Sequence, residues 1–285
     1  MPQELEGKVC VITGATSGIG RVAAEKLAQM GARLVLVARD PVRAEAILAR
    51  LRAGAPAAAH RACLADLSRI SEMKRVAAEI AAAEPRIDIL INNAGALYSF
   101  RRLTEDGLER HFATNHMAYF VVTNLLLDRL KATAGARIVS TASDAHKSGR
   151  LDFSDLQSET GYSSFRAYGT SKLENILFTR ELSKRLAGTG VTANCQHPGF
   201  VGTRFGQNNA SNIFLKGLAR VIMSFGLKPE DGAKTMIYLA SSAEVEGKSG
   251  GYYYKCKLAE PTAAAQSDAD AARLWDLSAR IAGLV

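Results

Sequence analysis

Lys8-Val9-Cys10-Val11-Ile12-Thr13-Gly14-Ala15-Thr16-Ser17-Gly18-Ile19-Gly20 is the stretch on which the reading of the whole chain turns. Lys8 to Thr13 is a short β-branched run, and Ile19 to Met30 has helical periodicity, so a glycine-rich turn opens directly into a helix. Backbone N–H groups at a helix start attract phosphate, and glycines let the backbone come close to it. Gly14, Thr16, Ser17, Gly18, Ile19 and Gly20 are therefore candidate contacts to the pyrophosphate of a dinucleotide. Tight structural turns use glycine too; the position between the first strand and a helix is what favours the nucleotide.

Outward from that turn the chain alternates strand and helix patterns. Strands are expected at Arg33 to Ala38, Ala58 to Leu64, Ile87 to Ile91, Arg137 to Thr141, Val191 to Gln196 and Gly251 to Tyr254. Helices are expected at Pro41 to Arg52, Ser68 to Ala83, Thr104 to Leu130, Ala167 to Leu186, Pro229 to Ala240 and Ala269 to Ile281. Repeated βαβ units imply an α/β fold: a Rossmann-type, doubly wound parallel sheet of about seven strands with helices on both faces. No Pro/Ser/Gly-rich linker divides the 285 residues, so one domain over 1–285 is expected.

Composition removes several function classes. The net charge of +8 comes from Lys and Arg spread along the chain, without a basic block or interleaved aromatics, so no nucleic-acid partner is expected. With 47% apolar residues, no apolar run reaches the length of about eighteen residues that a membrane helix needs. Met1 to Glu6 has neither a positive nor an apolar signal region, and Cys10, Cys63, Cys195 and Cys256 are scattered singly; a cytoplasmic, reduced protein is expected. His60, His111, His116 and His146 lack metal-ligand spacing, His197 is read as structural, and no metal is expected.

Ligands in such sheets bind beyond the carboxyl ends of the strands. The second strand ends in Ala38-Arg39-Asp40, where Arg39 suits a ribose 2′-phosphate, and hence NADP(H) over NAD(H), while Asp40 is either a ribose ligand or a helix cap. Asp66, before Leu67, is a candidate for the adenine amino group or a cap, and Asn92-Asn93-Ala94-Gly95 supplies small polar residues where a cofactor needs close approach. Tyr168 and Lys172 stand one helical turn apart, and an ammonium beside a phenol would lower the phenol's pKa from its usual value of about 10.

Thr13-Gly14-x-x-x-Gly18-x-Gly20, Asn92-Asn93-Ala94-Gly95, Asn115, Ser143, Tyr168-x-x-x-Lys172 and Pro198-Gly199 resemble, in order and spacing, the short-chain dehydrogenase/reductase family. Asp155 to Glu159, Leu177 to Leu182 and Ala272 to Trp275 are similar to its retinol dehydrogenase branch. The resemblance implies an NADP-dependent enzyme interconverting an alcohol and an aldehyde or ketone. Tyr168 would be the general acid/base, Lys172 would tune it and bind the nicotinamide ribose, Ser143 would bind the substrate oxygen, and Asn115 would hold a water linking Lys172 to solvent.

Ser140 competes with Ser143, and strand alternation together with the strand's C-terminal mouth favours Ser143. Leu67, Asn93, Ala94, Gly95, Pro198, Gly199, Val201 and Thr203 complete the implied cofactor contacts. Substrate loops are expected near 144–165 and 200–228; the apolar stretch Phe205 to Gly226 reads as a lid or a membrane-facing patch. A small hydrophobic alcohol or carbonyl substrate and a homo-oligomer follow from the same resemblance. A non-catalytic NADP-binding scaffold or redox sensor, and a protochlorophyllide-type reductase, remain alternatives.

Overall fold

The computed structural model describes residues 4–55, 58–199 and 228–285. Within them lie β1 (Val9–Thr13), β2 (Arg33–Ala38), β3 (Arg61–Leu64), β4 (Ile89–Asn92), β5 (Arg137–Thr141), β6 (Thr192–Gln196), β7 (Tyr252–Tyr254) and β8 (Lys257–Ala259). The α-helices among them are α1 (Gly18–Gln29), α2 (Pro41–Gly54), α3 (Ile70–Ala83), α4 (Ala118–Lys131), α5 (Ser164–Arg185), α6 (Pro229–Ser241) and α7 (Asp268–Ala282). The eight strands form one sheet in the order β3-β2-β1-β4-β5-β6-β7-β8. All pairs are parallel except the hairpin β7–β8.

Successive strand residues feed opposite layers, as the two-residue period requires. Val9, Val11, Val35 and Val37 pack into a core that also holds residues of α3, α4, α5 and α7, whereas Cys10, Ile12, Leu34 and Leu36 pack into a second core with α1, α2 and α6. These strand residues are buried on both faces, which is why β1 and β2 read as continuous apolar runs. Each fully buried Leu or Ile contributes about 1.5–3 kcal/mol. The first core is closed by α7, where Trp275 stacks on Phe178 at 5.8 Å and meets Phe120 edge-on at 4.9 Å.

Two expectations need correction. The sheet has eight strands rather than about seven, because Tyr254-Lys255-Cys256-Lys257 makes a tight hairpin turn without glycine: Lys255 and Cys256 take φ of 49° and 60°. Such turns normally announce themselves through Asn-Gly or Asp-Gly. The helix expected from Thr104 starts only at Arg110, because Gly107 (φ 75°) closes a turn in which Leu103 bridges to Glu109. Phe112–Met117 then forms a π-helical turn that runs into α4.

The strand order reverses between β1 and β4, and their carboxyl ends lie side by side there. Chain leaving β1 and chain leaving β4 diverge to opposite faces, which opens a crevice for a ligand.

Candidate active site

At this switch point the turn after β1 and the loop after β4 are locked together. The Thr13 hydroxyl accepts from the N–H of Asn93 and of Ala94, both at 2.9 Å, while Asn93 Nδ2 donates to the carbonyls of Thr13 (3.1 Å) and Gly14 (3.2 Å). A Cβ on Gly14, which has φ 69°, would lie 2.7 Å from Ala94 Cα, and one on Gly20 would collide with the Asn93 side chain. Both glycines are thus required by backbone approach. Asn93 shapes the turn with its amide, a role its sequence position alone did not single out. Helix α1 starts on Ser17, whose side chain makes no cap hydrogen bond, and its first turn holds no acidic residue. Its first N–H groups and the positive end of its dipole are therefore suited to a phosphate.

Past β2, Asp40 is committed as the N-cap of α2: its Oδ1 accepts from Val42 N at 3.0 Å and Arg43 N at 3.1 Å. Pro41 follows at the first helical position, where its fixed φ suits the helix. Arg39 is exposed and forms no ion pair among the described residues, so its guanidinium is open to an added anion. Asp66 Oδ1 accepts from Ser68 N (3.0 Å) and Ser68 Oγ (2.8 Å), which is the turn-capping alternative, and Leu67 is buried in the core. The residues present fit a dinucleotide.

One strand further, Ser143 caps the short helix Asp144–Ser148; its Oγ accepts from Ala145 N at 3.2 Å and is hydrogen-bonded to the Tyr168 side chain. Ser140 lies inside β5, buried, with no partner for its hydroxyl among the described residues, so geometry separates the two serines. Lys172 is buried and its Nζ donates to the Thr141 carbonyl at 3.1 Å, 5.7 Å from the Tyr168 ring centre. A Cβ on Gly95 would lie 3.2 Å from Asn115 Oδ1 and 3.4 Å from Lys172 Nζ, so Gly95, Asn115 and Lys172 meet at one point. Asn115 sits in the π turn, with Oδ1 accepting from Ala96 N at 2.8 Å and Nδ2 donating to Ala96 O at 3.0 Å and Ser171 Oγ at 2.9 Å. Its side chain fastens the β4 loop to α5. π turns recur at functional sites.

Electrostatics run against one expectation. The Tyr168 phenol is pushed up to about 12 by burial, against the pull of the Ser143 hydrogen bond, and is not lowered by its lysine. The cause lies in the lysine: burial pushes Lys172 down to about 7, so near neutrality it carries only part of a charge. In the protein alone the pair near neutrality is a phenol beside a lysine that is part amine and part ammonium.

Other placements were invisible in the pattern. His111 Nε2 accepts from Tyr98 N at 2.9 Å and its Nδ1 pairs with Glu109 Oε1 at 2.9 Å, which sets its ring edge-on to Tyr168 at 6.2 Å. Gly149 crosses α5 at Gly169, where either Cβ would fall within 2.6 Å of the opposing segment's atoms. His197 stacks on Tyr254 at 4.0 Å, and burial pushes it down to about 4, which fits a packing role. Among the described residues no three His, Cys, Asp or Glu side chains are grouped to hold a metal, and no helix is long and apolar enough to cross a membrane. Pro198 and Gly199 follow β6, Gly199 with φ 80°. Val201, Thr203 and the stretch Phe205 to Gly226 lie outside the described residues, as does nearly all of the expected loop 200–228.

The family model for short chain dehydrogenase matches residues 8–213. The chain is 41% identical to human (Homo sapiens) retinol dehydrogenase 14, covering 100% of this chain and 89% of that protein, and 40% identical to retinol dehydrogenase 12 of Mus musculus, covering 99% and 88%. Among solved structures, an uncharacterized protein from Mycobacterium Paratuberculosis superposes with a TM-score of 0.77 at 32% identity over 98% of this chain and 94% of its own. A short chain dehydrogenase from Burkholderia cenocepacia J2315 in complex with NADP gives 0.69 at 26% identity over 87% and 96%. With the glycine-rich turn at the β1/β4 switch point and Ser143, Tyr168 and Lys172 gathered beside it, the chain belongs to the short-chain dehydrogenase/reductase family and is retinol dehydrogenase-like.

Proposed function

We propose that this oxidoreductase is NADP-dependent and interconverts a hydrophobic alcohol with its aldehyde or ketone, with Tyr168 as general acid and base. The observation that carries the reading is the Ser143 hydroxyl hydrogen-bonded to the Tyr168 phenol, with the Lys172 amine one turn away beside Gly95. A nicotinamide bound at the switch point gives or takes the hydride. Because Ala145 N–H donates to Ser143 Oγ, the serine proton is left to donate to an oxygen in the site. In reduction Tyr168 passes its phenolic proton to the nascent alkoxide; burial holds the phenol in the protonated form that this step needs. Asn115 holds the β4 loop against α5, which keeps Lys172 in register with Gly95.

Arg39 supports the choice of NADP. Arg39→Ala is expected to weaken NADPH by about 10–100-fold, the loss of a charge-assisted contact of about 1.5–3 kcal/mol, with NADH changed less than about threefold. Equal losses for the two cofactors would remove the 2′-phosphate role.

An apolar substrate is supported by Phe100 and Phe165, 62% and 59% exposed, on segments that the Ser164 Oγ to Tyr98 carbonyl bond (2.5 Å) ties together near Tyr168. The relatives' names put a retinoid first on the panel, followed by steroid, aromatic and aliphatic carbonyl compounds. NADPH consumption across the panel should give kcat/KM that rises with apolar size, by about 3–4-fold per methylene at about 0.8 kcal/mol each. Best turnover with small charged substrates would overturn this assignment.

A further inference from the structure

The connection between the short helix Asp144–Ser148 and α5 encloses a cavity of about 720 Å³ together with the first turns of α5 and the exposed edge of α7. This cavity is not the apolar chamber that a substrate loop would provide. It is reached from the face of α5 that carries Ser163, Arg166, Ala167 and Thr170, spaced i, i+3, i+4 and i+7. Tyr168 and Lys172 occupy the opposite side of the same helix.

Three guanidinium groups line it: Arg150 from the connection, Arg166 from α5 and Arg273 from α7. Most other arginines among the described residues hold a carboxylate, Arg33, Arg61, Arg75, Arg86 and Arg185 among them. Arg150, Arg166 and Arg273 hold none among the described residues, although they converge on one space. Arg273 is instead held over the Phe153 ring, its Cζ 4.2 Å from the ring centre, a cation–π contact that uses none of its N–H donors.

Two carboxylates, Asp152 and Asp155, also line the cavity, but they are spent on the connection itself. Asp152 Oδ1 accepts from Ser154 N and Ser154 Oγ, and Asp155 accepts from Glu159 N, Thr160 N and Thr160 Oγ1. Their negative charge therefore folds the loop and does not quench the arginines by direct contact.

We propose that this cavity is a binding site, separate from the dinucleotide crevice, for a small ligand carrying two or more oxyanion groups, either carboxylates or phosphates. Planar guanidinium groups arriving from three different elements suit bidentate capture of such groups. The ligand would join α5 to α7 across the helix face that backs the Tyr168 pair.

The test is calorimetric titration of the purified protein with inorganic pyrophosphate in one series and citrate in another, each with and without saturating NADPH. Wild type is expected to show saturable binding of at least one of the two that survives NADPH, and which of them binds tells phosphate from carboxylate recognition. Arg166→Gln and Arg273→Gln should each weaken that binding at least tenfold while leaving NADPH affinity unchanged; both side chains are exposed, and equal melting curves report intact folding. Binding abolished by NADPH would place the anion on the glycine-rich turn and overturn the proposal. So would binding unchanged in the arginine variants, or no saturable binding of either probe. None of these outcomes depends on turnover, so the site stands or falls apart from the proposed reaction.

Discussion

Tyr168→Phe is expected to lower kcat with a competent aldehyde by about 10²–10⁴, the usual worth of a positioned acid or base. The phenol is hydrogen-bonded to Ser143, and phenylalanine keeps the ring that packs edge-on to His111 while removing only the proton donor. NADPH affinity should change less than about twofold, since a change of that size is below about 0.5 kcal/mol. Steady-state rates and cofactor fluorescence titration measure the two quantities on one preparation. Turnover within tenfold of wild type would remove Tyr168 from the proton-transfer step, and unchanged turnover together with normal NADPH binding would favour a different donor in the same crevice.

Lys172→Met is expected to separate function from stability in opposite directions. Activity should fall about a hundredfold or more, and NADPH should bind more weakly, because the amine stands at Gly95 where the nicotinamide ribose is proposed to lie. Stability should rise. The native pKa of about 7 lies below the ordinary 10.5, so folding penalises the charged form of this lysine. That penalty is fully present below about pH 7 and is relieved as pH rises toward 10.5, where both folded and unfolded lysines are neutral. The interval corresponds to about 5 kcal/mol as an upper bound, and methionine's loss of the Thr141 contact takes back part of it. The Thr141 carbonyl stays partnered, since Asn175 Nδ2 also donates to it at 3.2 Å. The variant should therefore melt several degrees higher than wild type at pH 6–7, at about 2–4 °C per kcal/mol, with the gap closing by pH 10. A melting difference that does not vary with pH would place the wild-type amine in a hydrated environment and contradict the burial seen here. Such an exchange of stability for activity is common where a site holds a destabilised group.

Much of the architecture was legible because its signals are local. The β-branched run ending in Thr13, the glycines after it and the Asp40-Pro41 cap each act through neighbours a few residues away, and helices and strands fall near their expected limits. Where local signals were weak or conflicting, the reading failed. Gly107 ended the pattern that otherwise suggested a helix from Thr104, and the β7–β8 hairpin turns on Lys255 and Cys256 in a conformation that side chains seldom adopt. In both places a turn through a left-handed residue, and the short-range backbone pairing that it closes, outweighed side-chain propensity.

The site divides in the same way. Sequence spacing placed Tyr168 and Lys172 on one helix turn, and strand alternation preferred Ser143 to Ser140, so the residues proposed for the acid/base group could be named from the chain alone. The state of its protons was not. A lysine beside a tyrosine in water would lower the phenol, whereas the folded protein raises Tyr168 to about 12 and depresses Lys172 to about 7, because burial removes the water that would stabilise either charge. Likewise the sequence offered Asp40 as ribose ligand or cap, and only the folded α2 shows its carboxylate taken up by Val42 and Arg43, leaving Arg39 facing outward. Residue order determines which groups exist and which neighbours they have along an element. Solvent exclusion and contacts between segments far apart in the chain exist only after folding, and those two effects decided the charges of this site and the separate pocket of arginines on the far side of α5.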